Sequence, residues 1–254
     1  QVPNLQVEVP IGSGTVRANV WRANVGNVPL YLLDTAVDGD SANNPDQLVT
    51  DRLYGGHEED RIKQELLLGV GGYRALDALG ILPEVFHLNE GHAGFAALEA
   101  IRRAMTDHGL SFAEAIEAVR PSVVFTTHTP VPAGIDRFSR GLVEKYLGWW
   151  CDACGITVDD LMAIGLGPDG DPEMFNLAAM CLRLAGSANG VAKLHGVVSR
   201  EMFNEVWPGT PVDEVPISSV TNGVHASTWV STKQGELLSR YLGPDWANAA
   251  PERW

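Results

Sequence analysis

The sequence predicts an α/β protein with a mainly parallel sheet, and two observations carry this prediction. Short apolar runs, typical of buried strands, alternate along the chain with segments of helical periodicity. Such alternation implies parallel strands joined by right-handed crossovers. Three of the apolar runs, at 85–92, 123–130 and 217–225, also end in a polar cluster that contains histidine.

The N-terminal region predicts antiparallel strands. Apolar and polar residues alternate at 5–9 and 16–20 on either side of Gly12-Ser13-Gly14, which indicates a β-hairpin. Residues 28–33 predict a further strand that ends at Asp34. The stretch 38–51 is rich in Gly, Asn, Asp and Pro, and we expect a loop there.

Helices are predicted next. Apolar residues recur at helical spacing over 58–79. Gly69, Gly71 and Gly72 each weaken this helix by about 1 kcal/mol relative to Ala, so we expect a close approach to a neighbour or a break. A second helix over 93–104 follows His92 directly, and Ser111-x-x-Glu114 is a capping box for a third.

The second half begins with a turn at Pro130, Pro132 and Gly134 and is then mainly helical. Asp171-Pro172-Glu173 predicts a helix start, with an N-cap, a first-turn proline and an acid. The remaining predictions are a strand at 190–195, a helix at 199–207, a last strand at 215–220 and a helix at 233–242 that Gly243-Pro244 ends.

Composition narrows the possible functions. The 254 residues are 45% hydrophobic, enough for a sizeable core, and the formal charge is −14. This charge argues against nucleic-acid and anionic membrane surfaces, which need clustered Lys and Arg. No apolar run approaches a membrane helix, and the N-terminus lacks signal-peptide features. We expect Cys151, Cys154 and Cys181 to be free thiols in a reducing cytoplasm rather than a redox or zinc site.

The three strand ends form the candidate site, because ligands of open α/β sheets bind outside the carboxyl ends of the strands. His128 is flanked by three threonines. These polar side chains are rarely found in a hydrophobic core, but they can hydrogen-bond a ligand's hydroxyl groups. Asn222-Gly223 alone is a common turn and gains weight from its setting beside Thr221 and His225. The side chains suit a neutral, hydroxyl-rich ligand.

Other interpretations of these residues stay open. His87, Glu90 and His92 are metal-ligand types, but their spacing differs from HExxH, and we predict no metal. His92 is alternatively a helix-capping or core histidine. Since His57 follows Gly55-Gly56 and precedes the long helix, the segment is either a mobile gate or a plain helix lead-in.

The same segments resemble the glycogen/α-glucan phosphorylase family. The resemblance lies in Asn89-Glu90-Gly91-His92, Thr127-His128-Thr129, Thr221-Asn222-Gly223, the segment Asn189-Gly190-Val191-Ala192 with His195, and Arg61-Ile62-Lys63-Gln64-Glu65. These blocks occur in the family's order from about residue 30 onward. Glu90 and the turn after Thr129 are similar to the bacterial branch.

The resemblance implies a Rossmann-like lobe of a two-lobed type-B glycosyltransferase, truncated at both ends, with residues 1–254 forming most of the N-terminal lobe. It implies phosphorolysis of terminal α-1,4-linked glucose from glycogen or maltodextrin by inorganic phosphate, with pyridoxal phosphate as cofactor. It also implies a cytoplasmic enzyme that is homo-oligomeric at full length. His128 and Asn222 would be catalytic and contact the glucose 6-hydroxyl, with the His128 carbonyl facing the anomeric carbon. Glu90, His92, Thr129 and His57 would bind substrate.

The chain departs from the family in two places. It lacks the Asp-Asn pair of the family's gate near His57, and it lacks the Gly-Thr-Gly-Asn-Met-Lys segment whose lysine binds pyridoxal phosphate. We therefore expect the chain alone to be inactive, with no cofactor residue in it. The alternatives are a non-catalytic glucan-binding module and a nucleotide-sugar glycosyltransferase of the same fold.

Overall fold

The computed structural model describes residues 1–37, 48–52 and 57–248. The chain divides into two compact units, Gln1–Val220 and Thr221–Trp254. The predicted loop at 38–51 falls mainly outside the described residues. Among the described residues, no helix combines the length and the apolar character needed to cross a membrane.

An antiparallel sheet opens the first unit and confirms the predicted hairpin and third strand. Its strands β1 (Gln6–Ile11), β2 (Gly14–Val25) and β3 (Val28–Asp34) pair in that order. Gly12 has φ +61°, which a side chain would strain, and so allows the tight turn. Alternate residues of β1 and of the first half of β2 are buried, so one face of this sheet joins the core.

The predicted long helix is present with an interruption. It comprises α1 (Glu58–Leu66), a π-helical segment (Leu67–Gly71) and α2 (Gly72–Ala78). A Cβ at Gly69 would lie 2.7 Å from the Ala96 backbone nitrogen, whereas one at Gly72 would meet nothing within 4 Å. Close approach therefore explains Gly69, and the π segment is the local irregularity that accompanies it.

A second, parallel sheet confirms the predicted fold class. Its order is β4 (Phe86–Asn89), β5 (Val123–Thr127), β8 (Ser187–Gly190) and β9 (Ile217–Ser219), and every neighbouring pair is parallel. The helices α3 (Phe95–His108) and α4 (Phe112–Val119) connect β4 to β5. Ser111 and Glu114 form the predicted capping box at α4. The carboxyl ends of these strands consequently share one edge of the sheet.

Two local predictions were wrong. Residues 171–173 form a turn and not a helix start, because they lead into the short strand β7 (Met174–Asn176). This strand pairs with β6 (Arg137–Ser139). The helix that follows, α7 (Leu177–Leu184), is capped by Asn176. The strand predicted at 190–195 ends at Gly190, and helix α8 (Lys193–Phe203) begins where the strand was expected to continue. A Cβ at Gly190 would lie 2.9 Å from the Gly196 nitrogen, so the helix packs directly against the strand end.

The core of the first unit lies between the sheets and the helices. α5 (Arg140–Cys154) contributes Trp150, which is fully buried, and α6 (Val158–Ile164) follows it. In the second unit, α9 (Ala226–Trp229) precedes α10 (Thr232–Leu242), which confirms the predicted last helix.

Candidate active site at the strand ends

A hydrogen-bonded row crosses the parallel sheet near its carboxyl edge. The Thr126 hydroxyl donates to Asn189 Oδ1 at 3.0 Å and lies 2.7 Å from His87 Nε2. Since the hydroxyl proton goes to Asn189, the arrangement favours the His87 tautomer that donates from Nε2. The row ties β4, β5 and β8 together next to their ends.

Glu90, the residue after β4, has an unusual backbone and an engaged side chain. Its φ is +62° and its ψ is −176°, a region that glycine alone adopts readily. Its N–H donates to the Thr126 carbonyl at 2.9 Å, which fixes it beside β5. Its carboxylate points at the segment that follows β5.

His128 and Thr129 receive that carboxylate. The His128 and Thr129 N–H groups both donate to Glu90 Oε1, the latter at 3.2 Å, and the Thr129 hydroxyl donates to Oε2 at 3.2 Å. The His128 side chain is exposed, and its Nε2 lies 3.4 Å from Asn89 Oδ1. The structure thus brings three of the predicted site residues, Glu90, His128 and Thr129, into one cluster.

His92 belongs to a second cluster, which we call the His92 network and which comprises Arg61, Glu65, His92 and Asp136. The His92 Nδ1 atom lies 3.3 Å from Glu65 Oε1 and 3.3 Å from Asp136 Oδ2. Arg61 Nη2 donates to the same two oxygens, at 3.1 Å and 2.7 Å. The four side chains join α1, the turn after β4 and the loop before β6.

Burial and hydrogen bonding set the charges of the His92 network. Hydrogen bonds to Asp136 and then Glu65 raise the pKa of His92 to about 9. Burial raises the pKa of Glu65, whose side chain is 2% exposed, to about 8. Burial opposes ionisation of Asp136, but hydrogen bonds from His92 and Arg61 outweigh it and lower the pKa of Asp136 below its usual range. At neutral pH, His92 is therefore the positively charged imidazolium.

Glu65, His92 and Asp136 also have the composition of a metal site, since their ligand atoms lie within 4.8 Å of one another. However, Arg61 Nη2 contacts all three groups and supplies a fixed positive charge among them. A guanidinium has no lone pair to donate to a metal and repels a cation. The arrangement therefore favours an ion-pair network over a metal centre.

The remaining predicted site residues are His57 and Asn222. His57 is the N-cap of α1, and its N–H donates to Asp60 Oδ2 at 3.0 Å, which suits the plain helix lead-in; the proposed gate at Gly55-Gly56 lies outside the described residues. Asn222 is exposed in the second unit, ahead of α9. Its role stays a prediction.

The cysteines are all buried. Burial raises the pKa of Cys151 to about 11 and that of Cys154 to about 12, and it raises the pKa of Cys181 as well. Such thiols are poor nucleophiles and poor metal ligands in their ordinary state. Packing within α5 and α7 is the role that their positions support.

The fold is similar to the catalytic domain of starch synthase IV from Arabidopsis thaliana bound to ADP and acarbose, with a TM-score of 0.61 and 14% identity over 89% of this chain and 41% of that one. This likeness shows that the two proteins share a fold over most of this chain. No profile of a protein family matched the sequence.

Curated relatives then specify the family. The chain is 52% identical to glycogen phosphorylase of Mycobacterium tuberculosis, 44% identical to maltodextrin phosphorylase of Thermococcus litoralis and 36% identical to glycogen phosphorylase of Aquifex aeolicus, over 94%, 97% and 94% of its length. It belongs to the glycogen and maltodextrin phosphorylase family. It spans only 29%, 28% and 34% of these relatives' own lengths.

Proposed function

We propose that residues 1–254 form most of the N-terminal catalytic lobe of an α-glucan phosphorylase. The complete enzyme would transfer a terminal α-1,4-linked glucosyl unit of glycogen or maltodextrin to inorganic phosphate and release glucose 1-phosphate. The observation that carries this proposal is 52% identity to a glycogen phosphorylase over 94% of the chain. The strand-end cluster supports it, because His128 is exposed at the edge where ligands of such sheets bind.

The residue roles belong to the same proposal. His128 and Asn222 would contact the 6-hydroxyl of the reacting glucose, and the His128 carbonyl would face the anomeric carbon. A fixed carbonyl dipole there stabilises positive charge as the glycosidic bond breaks. Glu90, His92, Thr129 and His57 would line the same cleft. Because the pKa of His92 is raised to about 9, its side chain would be a positively charged hydrogen-bond donor in this cleft at neutral pH.

Pyridoxal phosphate is proposed for the complete enzyme only. When bound, it supplies a phosphate group as acid/base partner to the substrate phosphate. The residues of this chain do not fit its attachment: Lys145 pairs with Glu59, Lys63 lies 5.8 Å from the Tyr146 ring centroid, and Lys193 and Lys233 are exposed. None of these lysines is in a buried pocket. We expect the chain by itself to release no glucose 1-phosphate.

Substrate choice tests the proposal. The complete protein that carries this segment is incubated with maltoheptaose and phosphate, and in parallel with a glucan acceptor and a nucleotide-glucose donor. We expect glucose 1-phosphate from the first mixture and no glucan extension in the second. Extension from the nucleotide sugar without phosphorolysis would assign a nucleotide-sugar glycosyltransferase instead. Glucan binding with neither reaction would assign a non-catalytic module.

We further propose that the complete enzyme is a homo-oligomer of the cytoplasm. Its measured mass in solution, compared with the mass of one polypeptide, checks the oligomeric part. A mass equal to that of a single polypeptide would contradict it.

A further inference from the structure

We propose that Glu90 is a positioning residue, whose carboxylate sets the direction in which the His128 carbonyl points. The inference rests on the proposed function, in which that carbonyl faces the anomeric carbon. It assigns Glu90 a role different from the direct substrate contact predicted from the resemblance.

The carboxylate of Glu90 is largely engaged by the protein itself. Its oxygens accept from the N–H groups of His128 and Thr129 and from the Thr129 hydroxyl. An ionised carboxylate offers about four acceptor positions, and three donors already occupy this one. A ligand hydroxyl would have to compete with these donors, so direct substrate binding is the weaker role.

Because of peptide geometry, the contact between Glu90 and the Thr129 N–H fixes the direction of the His128 carbonyl. The Thr129 N–H and the His128 C=O belong to the same peptide group, which is planar and trans. In such a group the N–H and C=O vectors point in opposite directions. Because Glu90 Oε1 accepts from the Thr129 N–H at 3.2 Å, the His128 carbonyl is held pointing away from Glu90.

The backbone of Glu90 supports the same conclusion independently. Its φ of +62° with ψ of −176° disfavours any residue with a side chain, and glycine would fit better. The Glu90 N–H is also anchored to the Thr126 carbonyl at 2.9 Å. Main chain and side chain of Glu90 therefore fix the end of β5 on both sides of Thr127, and the contacts of the side chain offset the backbone strain.

The first test uses this chain. Glu90→Gly removes the carboxylate but suits the backbone, so it separates the loss of the positioning role from a folding defect. Glu90→Gln keeps one accepting oxygen. The control is Glu117→Gln, at an exposed residue. We expect amide hydrogen exchange at residues 128 and 129 to be about tenfold faster in Glu90→Gly, intermediate in Glu90→Gln and unchanged in the control. Equal exchange in Glu90→Gly and wild type would overturn the proposal.

The second test uses the complete enzyme with maltoheptaose and phosphate. We expect Glu90→Gly to lower kcat about 100-fold while KM stays unchanged, and Glu90→Gln to restore part of kcat. A raised KM with unchanged kcat would overturn the proposal and make Glu90 a direct substrate contact. If the wild-type enzyme releases no glucose 1-phosphate, the proposed function fails, and the exchange measurement still decides whether Glu90 holds the two amides.

Discussion

Replacing Gly69 by alanine tests how the helix that carries Arg61 and Glu65 is held against the helix that follows His92. Gly69 lies in the π segment, where an added Cβ would be 2.7 Å from the Ala96 nitrogen, 2.8 Å from Phe95 Cβ and 2.9 Å from the Phe95 carbonyl carbon. These are backbone atoms and a Cβ, so no flexible side-chain end can move aside. Ordinary carbon contacts are about 3.5–4.0 Å, and the helices must separate by roughly 0.7 Å.

Two effects of opposite sign decide the result. Alanine is favoured over glycine in a helix by about 1 kcal/mol. Overpacking a well-packed site costs typically about 1–3 kcal/mol. Since the contacts fall on backbone, we expect a cost in the upper part of this range, about 2–3 kcal/mol. Gly69→Ala should therefore lower the free energy of unfolding by about 1–2 kcal/mol.

The matched control is Gly72→Ala, three residues further along, where an added Cβ meets nothing within 4 Å. It should raise the free energy of unfolding by roughly 0.8–1 kcal/mol. In thermal unfolding of this chain, Tm should fall by roughly 2–8 °C for Gly69→Ala and rise by roughly 2–4 °C for Gly72→Ala. A stabilising Gly69→Ala would refute the close approach.

Two further predictions concern titration and thiol chemistry. Folding raises the pKa of Glu65 and of His92, so the free energy of unfolding should fall as pH rises from 6.5 to about 9. In urea unfolding measured across this range, Glu65→Gln should reduce the dependence on pH, and Glu117→Gln should leave it unchanged. A free energy of unfolding that does not change with pH would contradict the charges assigned to the His92 network. Because burial raises the pKa of Cys151 and Cys154 to about 11 and 12, a thiol reagent at pH 8 should label the chain only after unfolding, and rapid labelling of the native chain would be inconsistent with their burial.

Local sequence signals predicted the elements that local interactions determine. The hairpin at Gly12 and the capping box of Ser111 and Glu114 depend on residues within a few positions of one another. The turn at 171–173 was mistaken for a helix start because its residues suit both, and the pairing of Phe175 with Phe138, 37 positions away, decides the outcome. Tertiary pairing of this kind leaves no local signature.

One part of the candidate site was predictable from the sequence, and another part was not. Strand-end logic placed Glu90 and His128 together, because parallel strands bring their carboxyl ends to one edge. The His92 network was not predicted as a unit. Arg61 and Glu65 carried a signal as a charged pair four residues apart, but Asp136 is 75 residues from Arg61 and had none.

The central claim is that the strand-end cluster around His128 belongs to the active site of a phosphorylase, and one comparison tests it most directly. The kcat/KM for phosphorolysis of maltoheptaose is measured for the complete enzyme, for His128→Ala and for His108→Ala. His108 is an exposed histidine at the far end of α3, roughly 20 Å along that helix from its start. We predict a loss of about 100-fold or more for His128→Ala and no change for His108→Ala. An unchanged kcat/KM for His128→Ala would contradict the account.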